Sequence, residues 1–383
     1  MSWNNIIGQD RVKDILQRAI LEKRISHSYC FWGTEGCGKD AIAIEFAKTA
    51  NCERPIINGD SSIEACDECN SCHTISTLQN PNVQLLFSLP TPKSTSTKDE
   101  SVLSKMSEEQ ISDIKEQLKL KAENPYHKIS LAGANQIKIA NVREIKKNLS
   151  MSAITAGRRF IIISNAHELT TEAANAFLKT LEEPHDEITI ILTTPKIEQI
   201  MPTILSRSQQ IHCEPIPDSE IVKILMDKYG KSSGEARIIS AFAQGSYLRA
   251  MEYMDEDMQA FRESAVAAFR TTLKSKYRAE LIKQLEPLVK AKDKKTTEKF
   301  LILLMLWLRD AIILKTTGNR ELIINADYAD TLQKFVDNFG QKDFPAAIEK
   351  IEIAISRIYK NVMTELILLD MFLDLRRILL RKS

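Results

Sequence analysis

A glycine-rich segment near the start of the sequence has the composition of a phosphate-binding loop. It reads Gly33-Thr-Glu-Gly-Cys-Gly-Lys39-Asp40, which fits the pattern G-x-x-x-x-G-K and adds a further glycine at Gly36. Glycines such as Gly38 let backbone N–H groups curl around phosphate oxygens, and the start of the following helix adds partial positive charge. Lys39 is placed to reach the outer phosphates. The segment therefore predicts a nucleotide-binding type of loop between a strand and a helix.

The residue after the loop lysine is unsuited to ATP hydrolysis. A hydroxyl at this position ordinarily binds Mg²⁺, whereas this sequence has Asp40, whose carboxylate repels phosphate and favours the positive end of a helix. Hydrolysis also needs an acidic residue after a buried strand, to hold the metal, and a group that activates water. After Phe160–Ile163 the sequence instead has Ser164 and Asn165. We expect a loop that is empty or weakly occupied, with binding of ATP or ADP as the alternative.

Four of the seven cysteines lie close together in the sequence, with the spacing C-x13-C-x2-C-x2-C. This spacing lets four sulfur atoms converge on one ion, and the thiols of a cytosolic protein stay reduced, which favours metal ligation over disulfides. We predict a structural Zn²⁺ held by Cys52, Cys66, Cys69 and Cys72. Ligation by His73 in place of one cysteine and redox-active thiols are the alternatives. The remaining cysteines are predicted to be buried or loop thiols: Cys30, Cys37 and Cys213.

Short, continuously apolar runs predict the strands that must position these groups, because a parallel sheet covered on both faces requires such runs. The runs are Tyr29–Trp32, Val83–Phe87, Phe160–Ile163 and Ile188–Leu192, with Ile211–Cys213 as a candidate fifth. Helical patterns lie between them, at Val12–Glu22, Asp40–Ala50, Val142–Met151 and Thr171–Glu183. Strands that alternate with helices predict an α/β domain over residues 1–214. The zinc module would occupy residues 52–72 of that domain.

The rest of the chain differs from this α/β pattern. Pro215 and Pro217 mark a boundary, after which only helical patterns follow. We predict a small helical domain at 215–256 and a domain of longer helices at 257–383. Residues 91–130 interrupt the α/β pattern with a polar, turn-rich run and a charged, weakly helical stretch. There we expect a partly mobile surface insertion, with a contact surface as the alternative.

Composition excludes several classes of protein. The 383 residues carry 52 Lys and Arg against 51 Asp and Glu, which is a net charge of +1 and argues against a strongly basic nucleic-acid coat or an acidic tail protein. The first residues lack the basic and apolar regions of a secretory signal. The strongest apolar run, Phe300–Leu308, is interrupted by Arg309 before it reaches the length that spans a membrane. We expect a cytoplasmic globular protein.

Several motifs in a fixed order resemble the bacterial clamp-loader family of AAA+ proteins, whose members are subunits of DNA polymerase III. The strongest runs from Leu169 to Pro184 as LTTEAANAFLKTLEEP. The other matching pieces are the phosphate loop, the cysteine cluster, Ile6–Gln9, His27–Phe31, Asn141–Glu144 and Pro202–Arg207. The resemblance implies an α/β AAA+ P-loop domain with a parallel sheet, then a small helical lid domain and an all-α collar domain.

Some members of this family hydrolyse ATP and others do not. In the hydrolysing tau/gamma type of the family that this sequence resembles, Ser or Thr follows the loop lysine and an Asp-Glu pair follows the strand. The lid of that type carries Gly-Ser-x-Arg. This sequence has Asp40, then Ser164 and Asn165, and its lid arginine comes one residue late, at Arg249. The resemblance therefore implies the non-hydrolysing branch, with a tau/gamma-type subunit as the alternative. A stand-alone nucleic-acid-binding zinc protein is a second alternative.

The resemblance also implies a role for Arg207. A Ser-Arg-Cys motif in the family places an arginine finger at the subunit edge, where it reaches the ATP site of a neighbour in trans. Here the motif reads Ser206-Arg207-Ser208, with the guanidinium retained; an ordinary surface arginine is the alternative. The implied partners are tau/gamma and delta subunits, the beta sliding clamp and, through the assembled complex, primer–template DNA. The implied location is the cytoplasmic, nucleoid-associated replisome.

Overall fold

The computed structural model describes most of the chain, in two compact units. The described residues are 2–59, 62–90, 104, 106–150 (backbone only for 146–150), 157–182, 187–254, 257–291, 293–358, 360 and 362–380. The first unit comprises Met1–Ile221 with Ala243–Met251, and the second comprises Val222–Phe242 with Glu252–Ser383. The three-domain boundaries at 214 and 256 stay predictions.

A five-stranded parallel sheet forms the centre of the first unit. The strands of the chain are β1 (Ser28–Trp32), β2 (Ile56–Asn58), β3 (Ser62–Glu64), β4 (Val83–Leu86), β5 (Arg159–Ile163), β6 (Ile188–Thr194) and β7 (Gln209–His212). The sheet order is β4-β5-β6-β1-β7, while β2 and β3 form a separate antiparallel pair. All of β6 is buried, as a strand covered on both faces must be. The predicted α/β class, including the candidate fifth strand, is confirmed.

The helices lie between and after these strands. In chain order they are α1 (Asp10–Leu21), α2 (Lys39–Ala50), α3 (Asn70–Ser76), α4 (Glu108–Glu123), α5 (Ile139–Ser150), α6 (Thr171–Glu182), α7 (Pro202–Leu205), α8 (Asp218–Tyr229), α9 (Ser233–Ala243), α10 (Tyr247–Met254), α11 (Met258–Leu273), α12 (Arg278–Ala291), α13 (Lys294–Thr317), α14 (Ala329–Phe339), α15 (Phe344–Ile358) and α16 (Thr364–Leu380). Phe177 and Leu181 of α6 pack with strand residues such as Ile161 and Ile190 in the core of the first unit. In the strand order of the sheet, β5, β6 and β1 are neighbours, so their carboxyl ends lie side by side. Parallel sheets bind ligands at this edge.

The second unit is helical, as the sequence predicts after residue 215. Its longest helix, α13, buries Phe300 and Trp307 and packs against α11, α14 and α15. The apolar run Phe300–Leu308 thus lies in the core of this unit. Among the residues that the structure describes, no helix is both long enough and apolar enough to span a membrane.

One prediction needs correction. Of the insertion at 91–130, residues 91–103 lie outside the described part of the chain. The remainder contains a regular helix, α4, that begins with a capping box in which Ser107 and Gln110 bond reciprocally. This remainder is not wholly a surface feature, because Lys121 is 2% exposed and Tyr126 is 9% exposed. The predicted helical stretch is therefore present, but its polar composition concealed the burial of specific side chains.

Candidate nucleotide site, metal centre and edge arginine

The predicted phosphate loop connects β1 to α2. Its three glycines have φ angles of +147° at Gly33, +76° at Gly36 and +100° at Gly38, a region that favours glycine. A Cβ on Gly33 would lie 2.0 Å from the carbonyl oxygen of Cys213. The loop is therefore fixed by a close approach to the residue that follows β7.

Lys39 already has partners within the loop. Its Nζ donates to the carbonyl oxygens of Gly33, at 2.8 Å, and Thr34, at 2.7 Å. The side chain is buried. The ammonium that the sequence places near the outer phosphates of a nucleotide thus satisfies loop carbonyls instead.

Asp40 is held by three side chains from distant parts of the sequence. Its Oδ2 accepts from Lys121 Nζ at 2.8 Å and from Ser164 Oγ at 2.6 Å, and its Oδ1 accepts from Thr193 Oγ1 at 2.6 Å. Burial alone would raise the pKa of this carboxyl, but the ammonium of Lys121 and the two hydroxyls lower the pKa to about 2. Asp40 is therefore a carboxylate whose acceptor sites are used within the chain.

A segment at the start of α10 closes another side of the loop. The N–H of Tyr247 donates to the carbonyl oxygen of Gly36 at 3.1 Å. A Cβ on Gly36 would lie 2.2 Å from Ser246 Oγ and 2.8 Å from Leu248 Cβ. Partial burial opposes ionisation of Glu35, but the hydrogen bond and charge of Lys128, with smaller contributions from the charges of Arg249 and Lys39, lower its pKa.

The residues around the loop do not fit a bound nucleotide. The cavity left beside Lys39 and Asp40 has a volume of about 50 Å³. Ligand pockets for small molecules run to roughly 300–1,000 Å³. The chain's own groups already meet the charges of Lys39 and Asp40. We therefore assign no reaction step to this loop.

The four clustered cysteines come together as a candidate metal centre. Their sulfur atoms all lie within 4.8 Å of one another. The N–H groups of Cys66, Cys69 and Cys72 donate to the sulfurs of Cys52, Cys66 and Cys69 respectively. Bonds to the charged form of a thiol favour the thiolate that a metal requires. The donor set fits a tetrahedral Zn²⁺ with no open position, which is the chemistry of a structural site.

A buried ion pair ties the cysteine cluster to α2. Lys48 of α2 lies 3.0 Å from Glu45 Oε2 and also donates to Asp67, which lies between Cys66 and Cys69 in the sequence. Lys48 is 1% exposed and Glu45 is fully buried. Burial raises the pKa of Glu45 to about 7, although Lys48 opposes this. The cluster is thus anchored on the helix that starts at the phosphate loop.

The other thiols are separate from the cluster. Cys30, Cys37 and Cys213 are all buried. Cys37 donates to the carbonyl oxygen of Cys213 at 3.8 Å. A hydrogen bond from Cys213, together with the charge of Lys39, lowers the pKa of Cys37 to about 7 despite burial.

Arg207 lies two residues after the end of α7 and is distant in sequence from the phosphate loop of the same chain. Its Nη2 is 3.0 Å from Glu182 Oε1, and its Nη1 donates to the carbonyl oxygen of Thr203 at 3.0 Å. The side chain is 37% exposed. The guanidinium is therefore oriented by a surface carboxylate at the end of α6, with part of its surface in solvent.

Sequence reasoning missed three residues at the phosphate loop. Lys121, Tyr126 and Thr193 contact Asp40 or lie against Gly38. In the sequence, Lys121 is one lysine in a charged stretch, and such lysines are ordinary on a protein surface, so nothing indicated that it would be buried. Thr193 was a polar residue at the end of an apolar run, and such residues at carboxyl ends of parallel strands are candidates for a site.

Comparison with known protein families decides the class of the chain. The family model described as "DNA polymerase III, delta subunit" matches residues 8–217, more than half of the sequence. A second model, "DNA polymerase III, delta subunit, C terminal", matches residues 262–377. The chain belongs to the DNA polymerase III delta-subunit family. The resemblance to clamp-loader subunits of the delta-prime and tau/gamma group, inferred from the motifs, is thereby confirmed.

Individual relatives of this clamp-loader subunit fall into two groups. Subunit delta′ of DNA polymerase III from Bacillus subtilis is 22% identical, over 94% of each chain. Subunit tau from the same organism is 27% identical over 259 residues, which is 66% of this chain and 37% of tau. Among solved structures, a gamma-subunit-related protein from Thermotoga maritima aligns over 95% of this chain and 98% of its own, with a TM-score of 0.39 and 16% identity.

Proposed function

We propose that the chain is a delta-prime-type, non-hydrolysing subunit of a clamp loader. It assembles with tau/gamma and delta subunits, and the complex opens the beta sliding clamp and places it on primed DNA. The match over 94% of both chains to a delta′ subunit supports this assignment. The observation that carries the non-hydrolysing role is Asp40, which stands where a metal-binding hydroxyl is needed and is bonded to Lys121.

The end of β5 supports the same conclusion. Ser164 lies where an acidic residue would hold a metal, and its hydroxyl donates to Asp40 at 2.6 Å. Neither this hydroxyl nor the amide of Asn165 can act as a general base near neutral pH. The chain therefore lacks, at this position, the groups that bind the metal and activate water.

Arg207 is the residue we propose to act on a neighbouring subunit's ATP. A guanidinium is always charged and can bond phosphate oxygens with two parallel N–H groups. Its partial exposure and its ion pair with the exposed Glu182 leave it available to a partner. Placed in trans, it stabilises the charge that develops on the transferring phosphoryl group.

The second candidate is an ATP-hydrolysing subunit of the tau/gamma type. It is favoured by the 27% identity to tau from Bacillus subtilis, which exceeds the 22% identity to delta′. The chain spans 37% of tau, however, and Asp40 replaces the hydroxyl that a hydrolysing site requires. Clamp-loader membership is common to both candidates, and ATP turnover by the chain itself separates them.

The zinc proposed at the cysteine cluster has a structural role. Four sulfur donors leave no position for a substrate. The ion would fix the segment between α2 and β4, which also carries the β2–β3 pair. Redox chemistry at these thiols is not part of the proposed function.

The role of Arg207 is tested in a reconstituted complex with partner subunits, clamp and primed DNA. Arg207→Ala is expected to reduce DNA-stimulated ATP turnover by at least about tenfold, because fingers of this kind contribute about 10³–10⁵ in rate. The matched control is Arg24→Ala, which removes another exposed arginine paired with a glutamate, at 3.5 Å from Glu22. Equal turnover by the Arg207→Ala complex and the wild-type complex would remove the finger from the proposal.

A further inference from the structure

The described part of the insertion, residues 106–130, leads directly to the phosphate loop. Helix α4 ends at Glu123, and the side-chain oxygen of the next residue, Asn124, accepts from the N–H of Tyr126 at 3.1 Å. The N–H of His127 donates to the carbonyl oxygen of Asn124 at 2.7 Å. These bonds fix a tight turn that directs the residues after α4 back toward the phosphate loop.

Lys121 provides a positive charge beside the loop. It is 2% exposed, and its Nζ donates to Asp40 Oδ2 at 2.8 Å and to the carbonyl oxygen of His127 at 2.7 Å. The Asp40 side chain is only 18% exposed, and such a largely buried carboxylate needs a charge partner, which a bound cation supplies in a functional nucleotide site. Here the ammonium of the chain itself meets that need.

Tyr126 covers the backbone of the loop. Three atoms of its ring and hydroxyl lie 3.0–3.2 Å from the position that a Cβ on Gly38 would take. The hydroxyl accepts from the N–H of Ile7 at 2.8 Å, and the ring packs edge-on against Tyr247 with centroids 4.8 Å apart. In a phosphate-binding loop, a glycine such as Gly38 lets the backbone approach a phosphate closely. Here the aromatic ring of Tyr126 occupies that space.

The entrance is bridged by the same segment. Lys128 forms an ion pair with Glu35 of the phosphate loop at 2.5 Å. Together with the start of α10, these contacts leave the cavity of about 50 Å³ described above.

We propose that residues 106–130 form an internal plug that holds the nucleotide site closed. Lys121 takes the place of the cation, Tyr126 covers the glycine backbone, and Lys128 bridges the entrance. The plug deepens the non-hydrolysing role in the proposed function and does not depend on Arg207. It also predicts that Asp40 alone does not account for the exclusion of nucleotide.

The test compares binding of Mg²⁺·ATP to purified full-length variants by calorimetry. The unplugged variant combines Asp40→Thr, Lys121→Ala and Tyr126→Ala. The comparison variant is Asp40→Thr alone, which restores the hydroxyl but keeps the plug. Lys119→Ala is the surface control, because Lys119 lies on the same helix and is 78% exposed.

The plug predicts that the unplugged variant binds Mg²⁺·ATP at least about tenfold more tightly than Asp40→Thr alone. Wild type and Lys119→Ala are expected to show no saturable binding at about 1 mM. An unplugged variant that binds no more tightly than Asp40→Thr would overturn the plug, and so would wild type binding as tightly as the unplugged variant. Neither result depends on whether the finger experiment with Arg207 succeeds.

If the triple variant does not fold, Asp40→Thr with Lys121→Met replaces it. Methionine keeps most of the length of the buried lysine without its charge, and threonine keeps a hydroxyl for Ser164 and Thr193. The same tenfold margin over Asp40→Thr alone is expected, and its absence again overturns the plug.

Discussion

Lys121 donates a 2.8 Å hydrogen bond to Asp40 from 81 positions further along the sequence. This ion pair connects the end of α4 to the first turn of α2, and Lys121 is 2% exposed. In a nucleotide-binding protein, the residue after the loop lysine is expected to carry a hydroxyl that binds a metal. Here that residue is Asp40, whose carboxylate is paired with Lys121. Both the stability and the function proposed for the chain depend on this pair.

The ion pair between Asp40 and Lys121 is expected to stabilise the first unit, and removal of one partner alone is expected to cost more than removal of both. Lys121→Met leaves a carboxylate without its charge partner, so we expect a loss of about 3–5 kcal/mol. Asp40→Asn with Lys121→Met is expected to recover part of this loss, because no unpaired charge remains. Hydrogen exchange of the α2 amides in urea measures the effect on this unit. Equal losses in the single and the double variant would contradict the pairing.

The contribution of Asp40 to stability is expected to depend on pH. Its pKa falls from an unfolded value of about 3.9 to about 2 in the folded chain. A lowered carboxyl pKa stabilises the fold above the unfolded pKa, and this stabilisation is lost as pH falls through the folded pKa. The difference in unfolding free energy between wild type and Asp40→Asn should therefore shrink between pH 4 and pH 2, values set by these two pKa values. A difference that stays constant over that window would contradict this.

The cysteine cluster is expected to hold one zinc ion. Metal analysis of freshly purified protein should give about one Zn²⁺ per chain, and Cys72→Ser should remove most of it. Cys30→Ser is the matched control, since Cys30 is also buried but lies outside the cluster. Hydrogen exchange in residues 62–76 should rise on chelation. Well-folded, metal-free protein would refute the site.

A side chain at Gly36 is expected to destabilise the first unit. A Cβ there would lie 2.2 Å from Ser246 Oγ, and its φ is +76°. The matched control is Gly133→Ala, because Gly133 has a φ of +75° and, among described residues, no heavy atom within 4 Å of its Cβ position. Gly36→Ala should lower the unfolding free energy by about 1–3 kcal/mol more than Gly133→Ala. Equal effects would show that the close approach of Gly36 to Ser246 and Leu248 is unimportant.

Much of the α/β framework followed from the sequence because its signals are local. Continuous apolar runs such as Ile188–Leu192 require a strand with both faces covered, and the helix over Thr171–Glu182 has a clear apolar face. The phosphate loop and the cysteine spacing were visible for the same reason. These features depend on residues near one another in the chain.

The contacts that close the nucleotide site could not be predicted in this way. Asp40 meets Lys121, Ser164 and Thr193 across separations of 81, 124 and 153 positions. A lysine in a charged stretch is typical of a solvated surface, so nothing in the local pattern of α4 indicated burial. The positive charge that offsets Asp40 became apparent only when the fold brought the two residues together.

The most direct test of the proposed function is ATP turnover by the purified wild-type chain, with and without its partner subunits, clamp and primed DNA. We expect turnover by the chain alone to be indistinguishable from that of a sample with Lys39→Ala, since Asp40, Ser164 and Asn165 supply neither a metal site nor a base. The assembled complex should hydrolyse ATP when DNA is added. Robust, Lys39-dependent turnover by the isolated chain would contradict the non-hydrolysing role and favour the tau/gamma-type alternative.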